Sequence, residues 1–139
     1  MIVPAFHGIC EVTFRFFEES YGPEALEAYW RHLAETYYAD LAERWRAEGL
    51  DAVEQYWRGI FEEEVGARWE IERAEDAVTL RIERCPAFAW MEESRREVMP
   101  SYCDHCRVMN ARLCELAGLE FELSGGRGSC VQSFREVPR

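Results

Sequence analysis

The chain has 139 residues, the usual size of one domain, and 48% of them are hydrophobic and 14% aromatic, which excludes a disordered or low-complexity chain. Its formal charge is -11, from 27 acids against 16 bases, a field that repels phosphate backbones and anionic lipid surfaces and makes nucleic acid an unexpected partner. No apolar run reaches the roughly 18 residues of a membrane span, and the start, Met1 to His7, has neither the basic stretch nor the apolar core of a secretory signal, so the expected setting is the cytoplasm, with no membrane association.

In chain order, Ile9 to Glu19 carries Val12, Phe16 and Phe17 among polar residues and reads as a helix. Tyr21-Gly22-Pro23-Glu24 joins a breaker, a proline suited to a first helical turn and an acid that complements the helix dipole. A second helix is therefore predicted from Pro23 to about residue 47, with Leu26, Trp30, Leu33, Tyr37, Leu41 and Trp45 on one face. Gly49 closes it, and Asp51 is expected to cap a third helix carrying Val53, Trp57, Ile60, Phe61 and Val65 up to Gly66.

After Gly66 the period changes from helical to alternating. Trp69 and Ile71 alternate with Glu70 and Glu72, Ala74-Glu75-Asp76 turns the chain, and Val78, Leu80 and Ile82 alternate with Thr79, Arg81 and Glu83, a β-hairpin that ends at Cys85-Pro86. A second hairpin pairs Leu119, Phe121 and Leu123 with Cys130, Gln132 and Phe134 through the turn Ser124-Gly125-Gly126-Arg127-Gly128. Between the hairpins, Ser94 to Glu97 predicts one short turn, and a helix with Pro100 at its first position runs to Gly118. The sum is a single α+β domain spanning 1–139. A helical part, about 8–66, precedes a four-stranded antiparallel sheet and a cysteine-bearing helix, about 67–137.

Chemistry concentrates in the second half. All 16 bases are Arg, so no lysine is available for Schiff-base chemistry or as a phosphate-loop ammonium, and any substrate carboxylate has to pair with a guanidinium such as Arg84, Arg107 or Arg127. Six Cys in a chain without a secretion signal read as thiols, metal ligands or a catalytic group before they read as disulfides. Cys103 and Cys106 lie three apart on the predicted helix and so on one side of it. Cys103 falls near the first turn, where free amides and the dipole favour thiolate. His105 and Asp104 point away from Cys103 as helix neighbours do. Cys85 ends an inward-facing strand and Cys130 begins another, so both are expected to converge on the helical pair.

Three uses of that convergence stay open. A dipole-activated Cys103 or Cys106 attacks an electrophilic carbon, with His105, Asp104, Glu93 or His7 carrying protons. Alternatively Cys85, Cys103, Cys106 and Cys130 hold zinc or an iron–sulfur cluster, although no second Cys-x-x-Cys is present. Or the cysteines are small buried hydrophobes, the reading that suits Cys10 and Cys114 best. His32, on a polar flank, reads as a solvated surface residue, and Trp90, Phe88 and Trp69 sit at the rim of the sheet, where core packing competes with lining a pocket.

Taken in order, Tyr21-Gly22-Pro23-Glu24-Ala25-Leu26, Cys85-Pro86, Tyr102-Cys103-Asp104-His105-Cys106 and Gly128-Ser129-Cys130 resemble the L-2-amino-thiazoline-4-carboxylic acid hydrolase-like family over residues 8–135. The resemblance implies a small α+β domain and a hydrolytic opening of a cyclic amidine ring, with Cys85, Cys103, Asp104 and Cys130 at the matching positions. Ser129 stands where the family often has an acid. The resulting expectation is a hydrolase of small C–N or C–S electrophiles, needing no cofactor. Cys103, Asp104, His105 and Cys106 would carry the chemistry, and Cys85, Cys130, Trp90, Gln132 and His7 would line the pocket. The competing expectation is a non-catalytic ligand- or metal-binding module, similar to vinyl-reductase-like sensor domains, holding zinc or an iron–sulfur cluster.

Overall fold

The computed structural model describes residues 3–138. Four helices come first: α1 (Phe6–Tyr21), α2 (Pro23–Glu35), α3 (Ala39–Glu48) and α4 (Leu50–Glu63). Then come β1 (Arg68–Arg73), β2 (Ala77–Arg84), α5 (Pro86–Glu93), α6 (Asp104–Ala117), β3 (Leu119–Gly126) and β4 (Ser129–Glu136). This is the expected α+β architecture with N-terminal helices. The strands form one antiparallel sheet in the order β1-β2-β4-β3, so the two predicted hairpins join along β2 and β4. No helix among the described residues is long and apolar enough to cross a membrane.

The predicted long second helix is two helices. At Thr36 the hydroxyl and the amide both donate to the His32 carbonyl, at 2.7 and 2.9 Å, and Tyr38 reaches back to the Leu33 carbonyl. This side-chain competition for a helix carbonyl, beside two aromatic residues of low helix propensity, ends α2. Tyr37, predicted on the apolar face, is 77% exposed. The break redirects α3 so that Trp45 is fully buried against Tyr56 and Phe134. Gly49, not Asp51, occupies the cap position of α4; Asp51 lies in its first turn and pairs with Arg73 at 3.2 Å. Val65 falls beyond the helix and is exposed.

One face of the sheet carries the core. Leu80 pairs with Ile71 and Gln132, and Ile82 with Trp69 and Cys130, so the inward rows continue across all strands. Phe134 has no exposed surface and its ring meets Phe121 at 5.1 Å, Trp45 at 5.7 Å and Trp57 at 6.1 Å. A second apolar cluster, Phe14, Leu26, Trp30, Ala87, Met99 and Tyr102, joins α1 and α2 to α5 and the 94–103 segment. Cys85 borders both clusters.

Two features of that junction were not predicted. Pro86 does end β2, but it also opens α5 as a first-turn proline, the position at which its missing N–H costs nothing. Pro100 does not open α6: residues 100–103 make turns in which Tyr102 bonds to the Met99 carbonyl, and α6 starts at Asp104 with Cys103 as its cap residue.

The turn segment is held by acids of α1. Glu11, only 5% exposed, accepts the Met99 amide at 3.2 Å and the Arg15 guanidinium, and Glu18 accepts the Ser101 hydroxyl at 2.9 Å. A buried amide left without its acceptor costs about 1–3 kcal/mol. Glu11→Ala is therefore expected to destabilise the fold by about 2 kcal/mol in chemical denaturation, and Glu11→Gln, which keeps an acceptor, by about half of that. Equal losses in the two variants would contradict the Met99 assignment.

Candidate active site

Cys103 and Cys130 lie against the β3–β4 turn, where the end of β2 and the start of α6 meet it. Cys103 caps α6 with its Sγ 3.3 Å from the Arg127 amide, which donates to it. Arg127 holds that amide in place with a left-handed backbone (φ 56°), and its guanidinium reaches the Val98 and Met99 carbonyls and lies over the Phe88 ring at 5.4 Å. At Gly125 (φ 90°) an added Cβ would meet the Ser129 carbonyl at 2.6 Å. The glycine thus lets the turn fold tightly enough to bring Arg127 over Cys103. The amide of Cys85 donates to the Gly128 carbonyl at 2.9 Å, tying β2 to the same turn.

Cys106 sits one turn further into α6, and its partner is the residue before it. Its Sγ is 3.4 Å from His105 Nε2, while His105 Nδ1 lies within hydrogen-bond reach of the Tyr102 carbonyl. A carbonyl only accepts, so Nδ1 carries the proton, Nε2 is the acceptor, and the Cys106 thiol donates to it. The imidazole is further fixed by ring contacts to Tyr102 at 4.7 Å, Phe14 at 5.3 Å and Trp30 at 6.3 Å. Sequence reasoning offered His105 as one of four proton carriers for Cys103 or Cys106, and the structure sets it against Cys106. No spacing rule reports this contact, because it depends on the bend at residues 100–103.

Both members of the pair are at rest neutral. Burial pushes the Cys106 thiol up to about 11 from 9.0. Burial also lowers His105 below its ordinary 6.5, against the opposing pull of the Tyr102 carbonyl and the Asp104 charge. Cys103 is raised by burial too, with the amides of Arg127 and Gly128 and the Arg127 charge working the other way. Cys85 is pushed up to about 12 by burial, against the amides of Phe88 and Ala87. Cys130 is raised by burial and opposed by the Gln132 side chain. Ionisation of Cys106 would raise Cys85, Cys103 and Cys130 further.

These shifts have a stability consequence of defined sign. A thiol whose folded value lies above its unfolded value keeps its proton in the folded state, so its contribution is complete below about pH 9 and is lost as pH climbs toward the folded value. Cys85 and Cys114 at about 12, Cys106 at about 11 and Tyr56 at about 12 all act in this direction. Thermal melts are expected to show a constant Tm from neutrality to about pH 9 and a progressive fall above it. A Tm independent of pH up to about 11 would contradict burial of these groups.

The remaining predicted site residues are placed as follows. Asp104 is exposed in the first turn of α6, and Glu93 pairs with Arg84 at 3.4 Å. Gln132 is buried, accepting from Asn110 Nδ2 at 2.8 Å and donating to Cys130 Sγ at 3.7 Å. His7 lies 3.1 Å from Glu64, and Trp90 packs against Gly8, with the Arg96 guanidinium 5.6 Å from its ring. Cys10, Cys85, Cys103, Cys106, Cys114 and Cys130 are all free thiols. The alternative zinc or iron–sulfur set of Cys85, Cys103, Cys106 and Cys130 is not assembled: among the described residues no group of three or more His, Cys, Asp or Glu side chains is placed to hold a metal ion.

A cleft of about 810 Å³ is walled on one side by Phe88, Met99, Pro100, Arg127 and Gly128; among the described residues no cysteine and no histidine lines it, and Arg127, whose amide binds Cys103, is its link to the thiols. Arg15, Arg68, Arg84 and Arg96 complete its rim together with Glu83, Glu92 and Glu97. Five guanidiniums and three carboxylates line it, and two of the five, Arg15 and Arg84, are already paired with Glu11 and Glu93, which leaves Arg68, Arg96 and Arg127 as the other lining guanidiniums. Arg84 and Arg127 were predicted as anion partners; Arg107 instead donates to the Leu123 carbonyl at 3.0 Å. Arg15, Arg68 and Arg96 were missed, since they come from separate segments that only the folded chain brings to one rim. The predicted pocket residues Cys85, Cys130, Trp90, Gln132 and His7 are not among the residues that line this cleft. No protein-family model and no curated protein matches the chain.

Proposed function

We propose that the chain is a small-molecule hydrolase, acting in the cytoplasm on a cyclic amidine or related C–N or C–S electrophile, as its resemblance to the L-2-amino-thiazoline-4-carboxylic acid hydrolase-like family implies. The observation that carries this reading is the Cys106 thiol on His105 Nε2, with Nδ1 oriented by the Tyr102 carbonyl. A nucleophile, a base and a group that fixes the base's tautomer are the parts that thiol catalysis needs.

In this reading Cys106 attacks the electrophilic carbon as Nε2 takes the thiol proton, so the pair starts neutral and becomes charged only as the carbon–sulfur bond forms. The imidazolium then protonates the departing ring atom, and Nε2 deprotonates the water that releases the product. Cys103, held by the Arg127 amide, precedes the nucleophile by one helical turn, and a guanidinium of the arginine-rimmed cleft would pair with a substrate carboxylate. The test is a turnover screen against cyclic amidines, thiazolines and hydantoins, each with and without a carboxylate. Hydrolysis confined to carboxylate-bearing members is the expected result. No turnover of any member would remove the hydrolase reading.

A further inference from the structure

Helix α1 is amphipathic the wrong way round for a lone chain. Its polar residues Glu11, Glu18 and His7 are turned inward, onto Met99, Ser101 and Glu64. Its outward face is apolar: Phe6 is 57% exposed, Ile9 62%, Val12 53% and Phe16 59%. The polar atom within that stripe is already satisfied, because the Thr13 hydroxyl donates to the Ile9 carbonyl at 2.7 Å. Tyr21, also exposed, extends the stripe by an edge-on contact to Phe16 at 6.4 Å between ring centroids. No charged residue falls between Phe6 and Phe16 on this face.

We infer that the α1 face is the interface of a homodimer, with a second copy of the chain packed antiparallel across a two-fold axis near Val12 and Thr13. Three features select a second copy as the occupant. The first is register. A two-fold at that point sets Ile9 of one helix against Phe16 of the other, and Phe6 against the turn holding Glu19, so the stripe is complementary to itself, as an isologous contact requires. The second is charge. The first turn of α1 holds no acid and Ala5 gives no side-chain cap, leaving the positive end of the dipole uncompensated; antiparallel pairing brings Glu19 of the other copy to it.

The third is area. At these exposures the stripe with Val3 and Tyr21 offers roughly 600 Å² of side-chain surface, at the top of what a monomer leaves uncovered. Flanking atoms of the same helix bring the patch near the roughly 800 Å² per partner of a stable interface. The inference stands apart from the hydrolase reading, since no catalytic residue lies on this face.

Sedimentation velocity on the intact chain tests it. Wild type at about 50 µM, above the micromolar range of interfaces this size, is expected to sediment at twice the chain mass. Ile9→Glu and Phe16→Glu, both at solvent-exposed positions, are expected to give folded monomers with unchanged far-UV circular dichroism, and Glu19→Arg to raise the dimer dissociation constant about tenfold. Thr13→Glu, nearest the axis, is the second route to the monomer and keeps the test decisive should one of the others fold poorly. A monomeric wild type, or a dimer that survives these substitutions, would overturn the inference.

Discussion

Cys106→Ser is expected to lower turnover of any substrate found by about 1,000-fold while leaving Tm within a few degrees of wild type. The hydroxyl can take the thiol's place as donor to His105 Nε2, but its conjugate base is far harder to generate, and nothing else at the site activates it. The loss belongs in kcat, because the attack is made only on the way to the transition state. His105→Asn should lose a similar factor. The two effects should not add in the double variant, since thiol and imidazole act as a unit. Cys103→Ser removes a flanking sulfur held by the Arg127 amide, so a smaller loss is expected there. Equal activity in wild type and Cys106→Ser would remove the pair from the mechanism.

The largest structural effect is expected at Phe134. Its ring is fully buried and contacts Trp45, Trp57 and Phe121 from three different elements. Truncation to alanine removes that contact area and leaves a cavity that the three aromatic neighbours cannot close, at a cost of about 4 kcal/mol. For a domain of this size that is a large share of the total stability, and Tm is expected to fall by about 10–15 °C. Phe134→Leu, which refills part of the volume, should recover about half. A fall of under about 3 °C in the alanine variant would mean that the core is looser than the ring geometry implies.

Most of the framework was legible because it is written in short periods. The alternation of Trp69-Glu70-Ile71-Glu72 and of Leu119-Glu120-Phe121-Glu122 gave both hairpins, and the inward set Cys130, Gln132 and Phe134 lies on one face as spacing requires. The misses come where tertiary contacts override propensity. Thr36 ends α2 through its own hydroxyl, and the turn before α6 is set by Glu11 and Glu18 reaching from 83 residues or more upstream.

The candidate site was half legible for the same reason. Four cysteines and a histidine were identifiable from composition and register, and their neighbourhood followed from strand order. Which of His105, Asp104, Glu93 and His7 meets which thiol was left open, because adjacent residues on a regular helix diverge. Only the turn at Pro100 to Cys103, closed by the Tyr102 carbonyl, sets the imidazole against the next thiol. The rim of arginines was equally hidden: Arg15, Arg68, Arg84, Arg96 and Arg127 come from five separate segments.

The pair itself can be interrogated without mutation. Wild-type protein quenched during turnover and digested under acid, then mapped by mass spectrometry, is expected to carry the substrate fragment on the sulfur of Cys106 and on no other thiol. A fragment found on Cys103, or steady turnover with all six sulfurs unmodified at every quench time, would contradict the account.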